Sequence, residues 1–318
     1  MKRSLRKLLF VFLFLAIQLG YGQNEFFFNH YLFNPTYFNP AWAGVEEQAF
    51  AAVHHRTQWA GYDATFDPEG APTTQMLSAV VPVEGKLAGF GLTIVNDRTG
   101  PLTSIQARIA ITTSFTLRQG KVFLGLMPSL NVASLDANFR PADNQPDPFI
   151  PSGNESQYRP NLHAGLVFQS KKEYFVGISV ENILQPGFSF GTEAENNIEP
   201  NHNLFFTKFL RIARDFILKP SLLVRSDLNS YSLDLTGVLE YQEKMWGGLA
   251  FRRAESVSVL LGYSFLKGNK LKAGYSFDYV VQERDAKEPT SHEVFVRYNL
   301  PDLILGGRKA VKTPRFTF

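Results

Sequence analysis

The feature that most narrows the folds open to this chain is a period-two alternation recurring from about residue 48 to 300. Successive side chains of a strand point to opposite faces, so alternation separates an apolar face from a polar one. In 231–241, Tyr231, Leu233, Leu235, Leu239 and Tyr241 share one face, and Ser232, Asp234, Thr236 and Glu240 share the other. In 271–281, Leu271, Ala273, Tyr275, Phe277, Tyr279 and Val281 oppose Lys272, Gly274, Ser276 and Asp278. In 104–118, Ile105, Ala107, Ile109, Ile111, Phe115 and Leu117 oppose Ser104, Gln106, Arg108, Thr112, Ser114 and Arg118.

A soluble sandwich and a membrane barrel both give such faces, so length and connections must decide. The runs reach roughly 10–14 residues, whereas globular strands run about 5–6 and tilted membrane strands need about 9–11. The pattern predicts strands at 48–59, 73–83, 86–96, 103–118, 120–135, 158–169, 173–185, 201–213, 216–227, 230–241, 244–253, 256–267, 270–282 and 291–300. Long connections (60–72, 97–102, 136–157, 186–200, 283–290) follow odd-numbered strands. Tight ones follow even-numbered strands: Glu84-Gly85, Gln119, Lys171-Lys172, Arg214-Asp215, Gln242-Glu243 and Gly268-Asn269. Long and short loops therefore fall at opposite ends of the array, as in outer-membrane barrels with short periplasmic turns and long outer loops. The expected fold is all-β, a transmembrane antiparallel β-barrel of about 14 strands preceded by an irregular N-terminal segment.

Residues 1–22 read as a secretory signal. Lys2, Arg3, Arg6 and Lys7 form a basic start, Leu8 to Leu19 an apolar stretch too short to span comfortably, and Gly20-Tyr21-Gly22 the small residues before a cut at Gln23. Four of the 32 Lys and Arg residues lie there, which leaves 28 against 29 Asp and Glu. The near-neutral remainder, with no basic aromatic stripe, argues against a nucleic-acid partner. The absence of cysteine excludes disulfides, Cys-ligated metals and thiol catalysis. The expected organisation is a signal at 1–22, an Asn-Pro-rich segment at 23–47, the barrel at 48–300 and a basic periplasmic tail at 301–318.

The run Asn29-His30-Tyr31-Leu32-Phe33-Asn34-Pro35-Thr36-Tyr37-Phe38-Asn39-Pro40-Ala41-Trp42-Ala43-Gly44 places two Asn-Pro pairs among aromatics. It resembles the Q-Y-M-F-N-P-x-x-x-N-P-A-x-A-G opening of the PorP/SprF family, outer-membrane components of the type IX secretion system. Arg56-Thr57-Gln58-Trp59-Ala60-Gly61, Gly89-Phe90-Gly91 with Asn96-Asp97, Ser291-His292-Glu293-Val294 and Pro314-Arg315-Phe316 are similar to later family segments. His30 and Trp42 depart from the family's usual residues. The resemblance implies a role in exporting or holding large surface proteins. Members tied to gliding motility work with an adhesin and its C-terminal signal, and others belong to the motor-linked core.

The candidate partner-binding residues are Asn34, Pro35, Asn39, Pro40, Arg56, Trp59 and Arg315. Each Asn-Pro disfavours helix before the proline and fixes φ at it. An irregular aromatic segment needs shelter from lipid, so 26–44 is expected in or under the barrel, as a plug or as a contact for periplasmic partners. Arg108, Lys219, Arg225, Asp234, Glu240, Lys272, Asp278 and Arg297 are expected to line a charged lumen. Loops 60–72, 136–157 and 186–200 are candidates for touching the exported protein. The tail cations Arg308, Lys309, Lys312 and Arg315 are candidates for a periplasmic lipoprotein or ring component.

His54 and His55 are adjacent in a strand and point to opposite faces, so they cannot share a metal. His292 and Glu293 alternate likewise and form no dyad. No H-E-x-x-H and no G-x-S-x-G is present, although a dyad built from distant strands stays open. No catalytic residue, cofactor or metal is expected. The expected partners are the outer-membrane bilayer, an exported adhesin with a type IX C-terminal signal, and periplasmic lipoprotein or motor components. A passive channel for small or hydrophobic solutes is the competing reading.

Overall fold

The structure is a computed structural model and describes residues 26–62, 70–85, 87–135, 155–190, 196–282 and 287–300. The expected signal and the tail with Arg308, Lys309, Lys312 and Arg315 lie outside the described residues, as do Gly153 and most of the 136–157 loop.

The wall is a closed antiparallel sheet. Its strands are β1 (Ala49–Thr57), β2 (Thr73–Pro82), β3 (Leu87–Thr99), β4 (Leu102–Leu117), β5 (Gly120–Leu135), β6 (Glu155–Ser170) and β7 (Tyr174–Glu181). β8 follows in two segments, Asn201–Lys208 and Leu210–Ala213, interrupted at Phe209. Then come β9 (Phe216–Ser226), β10 (Tyr231–Tyr241), β11 (Met245–Arg252), β12 (Ser256–Phe265), β13 (Leu271–Val280) and β14 (Thr290–Leu300). With β8 taken as one strand, neighbours in sequence pair throughout, and β1 pairs with β14 from Ala49↔Leu300 to Thr57↔His292 to close fourteen strands. Closure is the physical requirement, because lipid cannot satisfy an open sheet edge.

Burial inverts the soluble rule, as the alternation required. In β10, Leu235 and Leu239 are exposed on the outer face while Asp234, Thr236, Val238 and Glu240 are buried inside. In β13, Tyr275 and Tyr279 face out, and Lys272, Ser276 and Asp278 face in. His54 is enclosed and His55 is exposed, so the opposite-face expectation holds. Among the described residues no helix is long and apolar enough to cross a membrane. The apolar outer skin belongs to strands.

Several boundaries differ from expectation. The expected 97–102 connection is largely strand: β3 runs to Thr99, β4 starts at Leu102, and only Gly100-Pro101 turns. Thr99↔Leu102 pairing extends the ladder through polar residues that alternation alone read as loop. β6 begins at Glu155 because Ser156↔Ser134 and Gln157↔Ala133 continue its ladder with β5. β7 stops at Glu181, four residues early, where Asn182 takes positive φ.

Candidate functional site

The lumen is occupied by the chain's own N-terminal segment. A barrel of about eight strands fills its interior with wall side chains, while about sixteen leave a channel. Fourteen leave space, and residues from Phe26 to Glu46 take it up. Three short 3₁₀ turns shape the segment: Tyr31–Phe33, Pro35–Tyr37 and Pro40–Gly44. Proline opens the second and third turns, where its missing N–H is no loss. The Asn39 side chain caps the third by accepting the Ala41 N–H at 3.0 Å.

The segment runs the length of the wall. At its start, the Phe27 ring lies 3.3 Å from the Arg252 guanidinium and 4.6 Å from that of Arg56, both at the long-loop ends of their strands. At its finish, Glu46 pairs with Arg297 at 2.8 Å, near the short-turn end where the chain enters β1. Between these points Phe28, Tyr31, Phe33, Tyr37, Phe38 and Trp42 form one buried cluster with wall residues such as Phe205, Trp246 and Phe295. Within this cluster the Tyr31 and Ser221 hydroxyls hydrogen-bond at 2.8 Å.

Wall groups grip the plug backbone. Glu293 accepts the N–H groups of Asn29 (2.6 Å) and His30 (3.0 Å) and meets His30 Nδ1 at 2.8 Å. Arg297 donates to the Phe33 carbonyl (2.7 Å), Arg108 to that of Tyr37 (2.8 Å), Ser179 to that of Phe38 (2.7 Å) and Thr112 to that of Pro40 (2.9 Å). Glycines on the inner wall admit the close approach. A Cβ at Gly89 would strike the Ala43 carbonyl, one at Gly125 the Pro40–Ala41 peptide, and one at Gly165 the Asn39 amide.

The expected charged lining is present; most of it pairs within the wall, Arg297 pairs with Glu46 of the plug, and Lys272 forms no ion pair with a described residue. Arg108 meets Glu181 at 2.9 Å, Lys219 meets Glu240 at 2.7 Å, Arg225 meets Asp234 at 2.8 Å, and Arg56 meets Asp278 at 2.6 Å. The lumen is more apolar than the sequence reading allowed, since Met76, Val95, Phe123, Phe175, Leu223 and Val238 also face inward. Alternation assigns faces but does not say that a plug will supply an apolar partner.

The candidate partner residues separate into two groups. Asn34, Pro35, Asn39 and Pro40 are enclosed and spent on the wall: Asn34 donates to Ser78 Oγ (2.8 Å), and Asn39 to the Leu166 and Ile178 carbonyls (3.3 and 3.1 Å). In this arrangement they sit inside the barrel as part of the plug. Arg56 is likewise buried. Trp59 sits at the long-loop end in left-handed backbone (φ 53°), half-buried, with its N–H on Ser291 Oγ and Lys287 5.5 Å from its ring. Arg315 lies outside the described residues. Glu46, Glu181, Arg252 and the contact glycines were missed as a set; strand parity could have flagged Arg252 and Glu181, but nothing local marks the glycines as plug contacts.

At the same end, residues 182–190 fold over the lumen. Asn161 donates to Asn182 (2.8 Å), Gln157 to the Ser189 carbonyl (2.6 Å) and Arg159 to that of Gly187 (2.8 Å). Among the described residues one Ser–His pair joins the neighbouring strands β5 and β6, Ser129 Oγ and His163 Nε2 at 3.0 Å. The Asn182 backbone N–H donates to His163 Nδ1 at 3.3 Å, so the ring proton sits on Nε2 and points at the hydroxyl. That tautomer cannot take a proton from Ser129. Among the described residues no cluster of His, Asp and Glu could hold a metal.

Comparison with solved structures finds other barrels at low identity. A Pseudomonas aeruginosa FadL homologue has 12% identity and TM-score 0.48, covering 82% of this chain and 92% of its own. The CymD monoaromatic hydrocarbon channel has 11% identity and TM-score 0.49, covering 85% and 93%. The Pseudomonas putida toluene transporter TodX has 10% identity and TM-score 0.48, covering 89% and 98%. No curated protein sequence matches the chain. The model of the type IX secretion system membrane protein family PorP/SprF matches residues 21–298. An inward-polar closed barrel, an aromatic Asn-Pro plug that fills it and a family match over nearly the whole wall lead to one assignment: the chain belongs to the PorP/SprF family of type IX secretion membrane proteins.

Proposed function

We propose that this outer-membrane barrel works by binding, not by conducting or catalysing. In this reading it holds an exported surface protein, such as a gliding adhesin with a type IX C-terminal signal, at its long-loop end. Periplasmic lipoprotein or motor-ring components dock at the short-turn end, with the basic tail and Arg315 as contacts there. Trp59 and the pinned 182–190 loop are the contacts for the exported protein. The chain reaches the membrane through a signal cleaved before Gln23, which N-terminal sequencing of the mature protein would read directly.

The observation that carries this reading is the filled lumen. A passive solute channel needs a water path, and here the interior is taken up by a segment held through Glu293, Arg297 and Arg108. The Ser129–His163 tautomer weighs against hydrolysis for the reason given above. The test is deletion of the gene in its host, with two readouts. Surface display of one or more large proteins should be lost while uptake of small solutes and antibiotic sensitivity stay normal. Normal display with impaired solute uptake, or steady conductance of the purified barrel in planar bilayers, would instead establish the channel reading.

A further inference from the structure

The short-turn rim carries a charge pattern that neither plug nor wall uses. The β4–β5 turn exposes Arg118 with Lys121 just beyond it, and the β6–β7 turn exposes Lys171 and Lys172. The Lys171 N–H donates to the Gln119 carbonyl at 3.1 Å, so these turns lie side by side and hold four cations as one cluster. Farther round the rim come Arg211 and Arg214, then Lys244 and Lys267, all exposed. Their turns are stitched together in the same way, Gln242 to the Asp215 carbonyl at 2.7 Å and Ser264 to that of Lys244 at 2.6 Å. The acids described on this rim are Glu47, Asp215 and Glu243, exposed, and Glu84 and Glu173, half-buried. None of the rim cations forms an ion pair with a described residue. The turns fix the backbone positions of these cations, whose side chains form no ion pair with Glu173, Asp215 or Glu243 beside them in sequence.

The second observation is what adjoins them. On the outer face, toward the membrane, the Phe168 ring lies 6.1 Å from that of Tyr174, and the Tyr174 ring 6.5 Å from that of Phe206. Phe216 meets Tyr241 at 4.8 Å, and Tyr263 meets Phe265 at 4.8 Å. Lys208 is the register partner of Tyr174 and shares the outward face with Leu204 and Phe206. Aromatic girdles sit at the headgroup level of a bilayer, and a long cationic side chain beside one reaches the phosphates.

We infer that the short-turn rim binds anionic phospholipid headgroups, with Arg118, Lys121, Lys171 and Lys172 as its strongest site. Beyond this four-cation cluster the cations continue with the aromatic girdle past the β8–β9, β10–β11 and β12–β13 turns, which fits a lipid annulus better than the footprint of a single acidic protein. The inference requires only that the barrel is membrane-embedded and stands apart from the secretion role. It also predicts that the leaflet meeting the short turns is the one whose headgroups are phosphodiesters within reach of lysine.

The test uses the full mature chain in detergent, titrated with mixed micelles of equimolar phosphatidylethanolamine and phosphatidylglycerol, with retained lipids identified by native mass spectrometry. The wild type should retain phosphatidylglycerol in preference. The variant Arg118→Gln/Lys121→Gln/Lys171→Gln/Lys172→Gln should lose that preference by roughly tenfold or more, because each such cation near an anionic surface contributes severalfold. The changes lie at exposed positions in or next to turns, and unchanged heat-modifiable migration verifies that the variant folds. The control Arg98→Gln/Lys287→Gln, at the opposite end, should behave as wild type. Equal retention by variant and control, or no preference in the wild type, overturns the inference. No lipid preference together with in-cell cross-linking of the rim to an acidic protein would make it a protein dock instead.

Discussion

Replacing Glu293 with alanine is the sharpest test of how the plug is held. The carboxylate is fully buried and accepts two plug N–H groups, at 2.6 and 3.0 Å, besides meeting His30 Nδ1 at 2.8 Å. Arg56 NH1 stands 3.8 Å away. Alanine leaves these buried donors without the acceptor that the carboxylate supplies. Breaking a buried charge pair by removing one partner costs about 3–5 kcal/mol, and each hydrogen bond to a charged group is worth about 1.5–3. The terms overlap, so about 3–5 kcal/mol is the figure for the whole latch. If that energy holds the seated plug against its withdrawn state, the withdrawn population rises by about two to four orders of magnitude. The chain has no native cysteine, so a single reporter is clean. Thr36→Cys sits in the plug, is fully buried and is close to isosteric. Its labelling rate with a membrane-impermeant maleimide, in folded barrels in lipid vesicles, should be very slow alone and about a hundredfold faster or more with Glu293→Ala. Equal rates would refute the idea that Glu293 is a principal latch and leave Arg297 and Arg108 sufficient by themselves.

Gly125→Val should unseat the third plug turn, since its Cβ would lie 2.5 Å from the Pro40 carbonyl carbon; Thr36→Cys labelling should accelerate while the folded barrel band survives on heat-modifiability gels. Lys219→Met alone should cost about 3–5 kcal/mol in urea unfolding from vesicles, whereas Lys219→Met/Glu240→Met should return close to wild type, because the pair meets at 2.7 Å out of water. Leu249→Arg, on the outer face of β11, should cost about 2–4 kcal/mol in the same assay; a change near zero would mean that this face meets water and not hydrocarbon.

Strand positions and faces were legible in the sequence because lipid and lumen impose opposite demands on neighbouring residues, and that conflict is written every second position. Asp234, Glu240, Lys272 and Asp278 could be placed inside from alternation alone. Strand ends were less legible. Thr99 and Leu102 extend β3 and β4 beyond the membrane level, where neither face has to be apolar and the periodic signal fades. The break at Phe209 was invisible for a related reason: Phe209 faces inward against Lys219 at 5.1 Å, so the alternation reads straight through it. The plug was legible as irregular and in need of shelter, but not its direction. That direction depends on pairings hundreds of residues apart, such as Asn29 with Glu293, which no local pattern encodes. The Asn-Pro run that carries the family resemblance leaves one question open to a local reading: where its hydrogen-bonding groups go.

That question explains the composition of the plug. A wall carrying Arg108, Arg297, Ser179 and Thr112 on its inner face offers donors that need acceptors. Short 3₁₀ turns leave carbonyls without internal partners, and the carbonyls of Phe33, Tyr37, Phe38 and Pro40 take up those donors. Pro35 and Pro40 remove two N–H groups that would otherwise need burying with acceptors of their own. Asn34 and Asn39 then spend their amides on Ser78 and on the strand carbonyls of Leu166 and Ile178. The Asn-Pro repeat is thus a donor-poor, acceptor-rich backbone with two amide hooks, matched to a donor-rich wall. A generic apolar filler of the same volume would satisfy the aromatic cluster and strand the wall's guanidinium groups. The segment is therefore keyed to this barrel in register as well as in size, and sliding it by one residue would misplace every carbonyl at once.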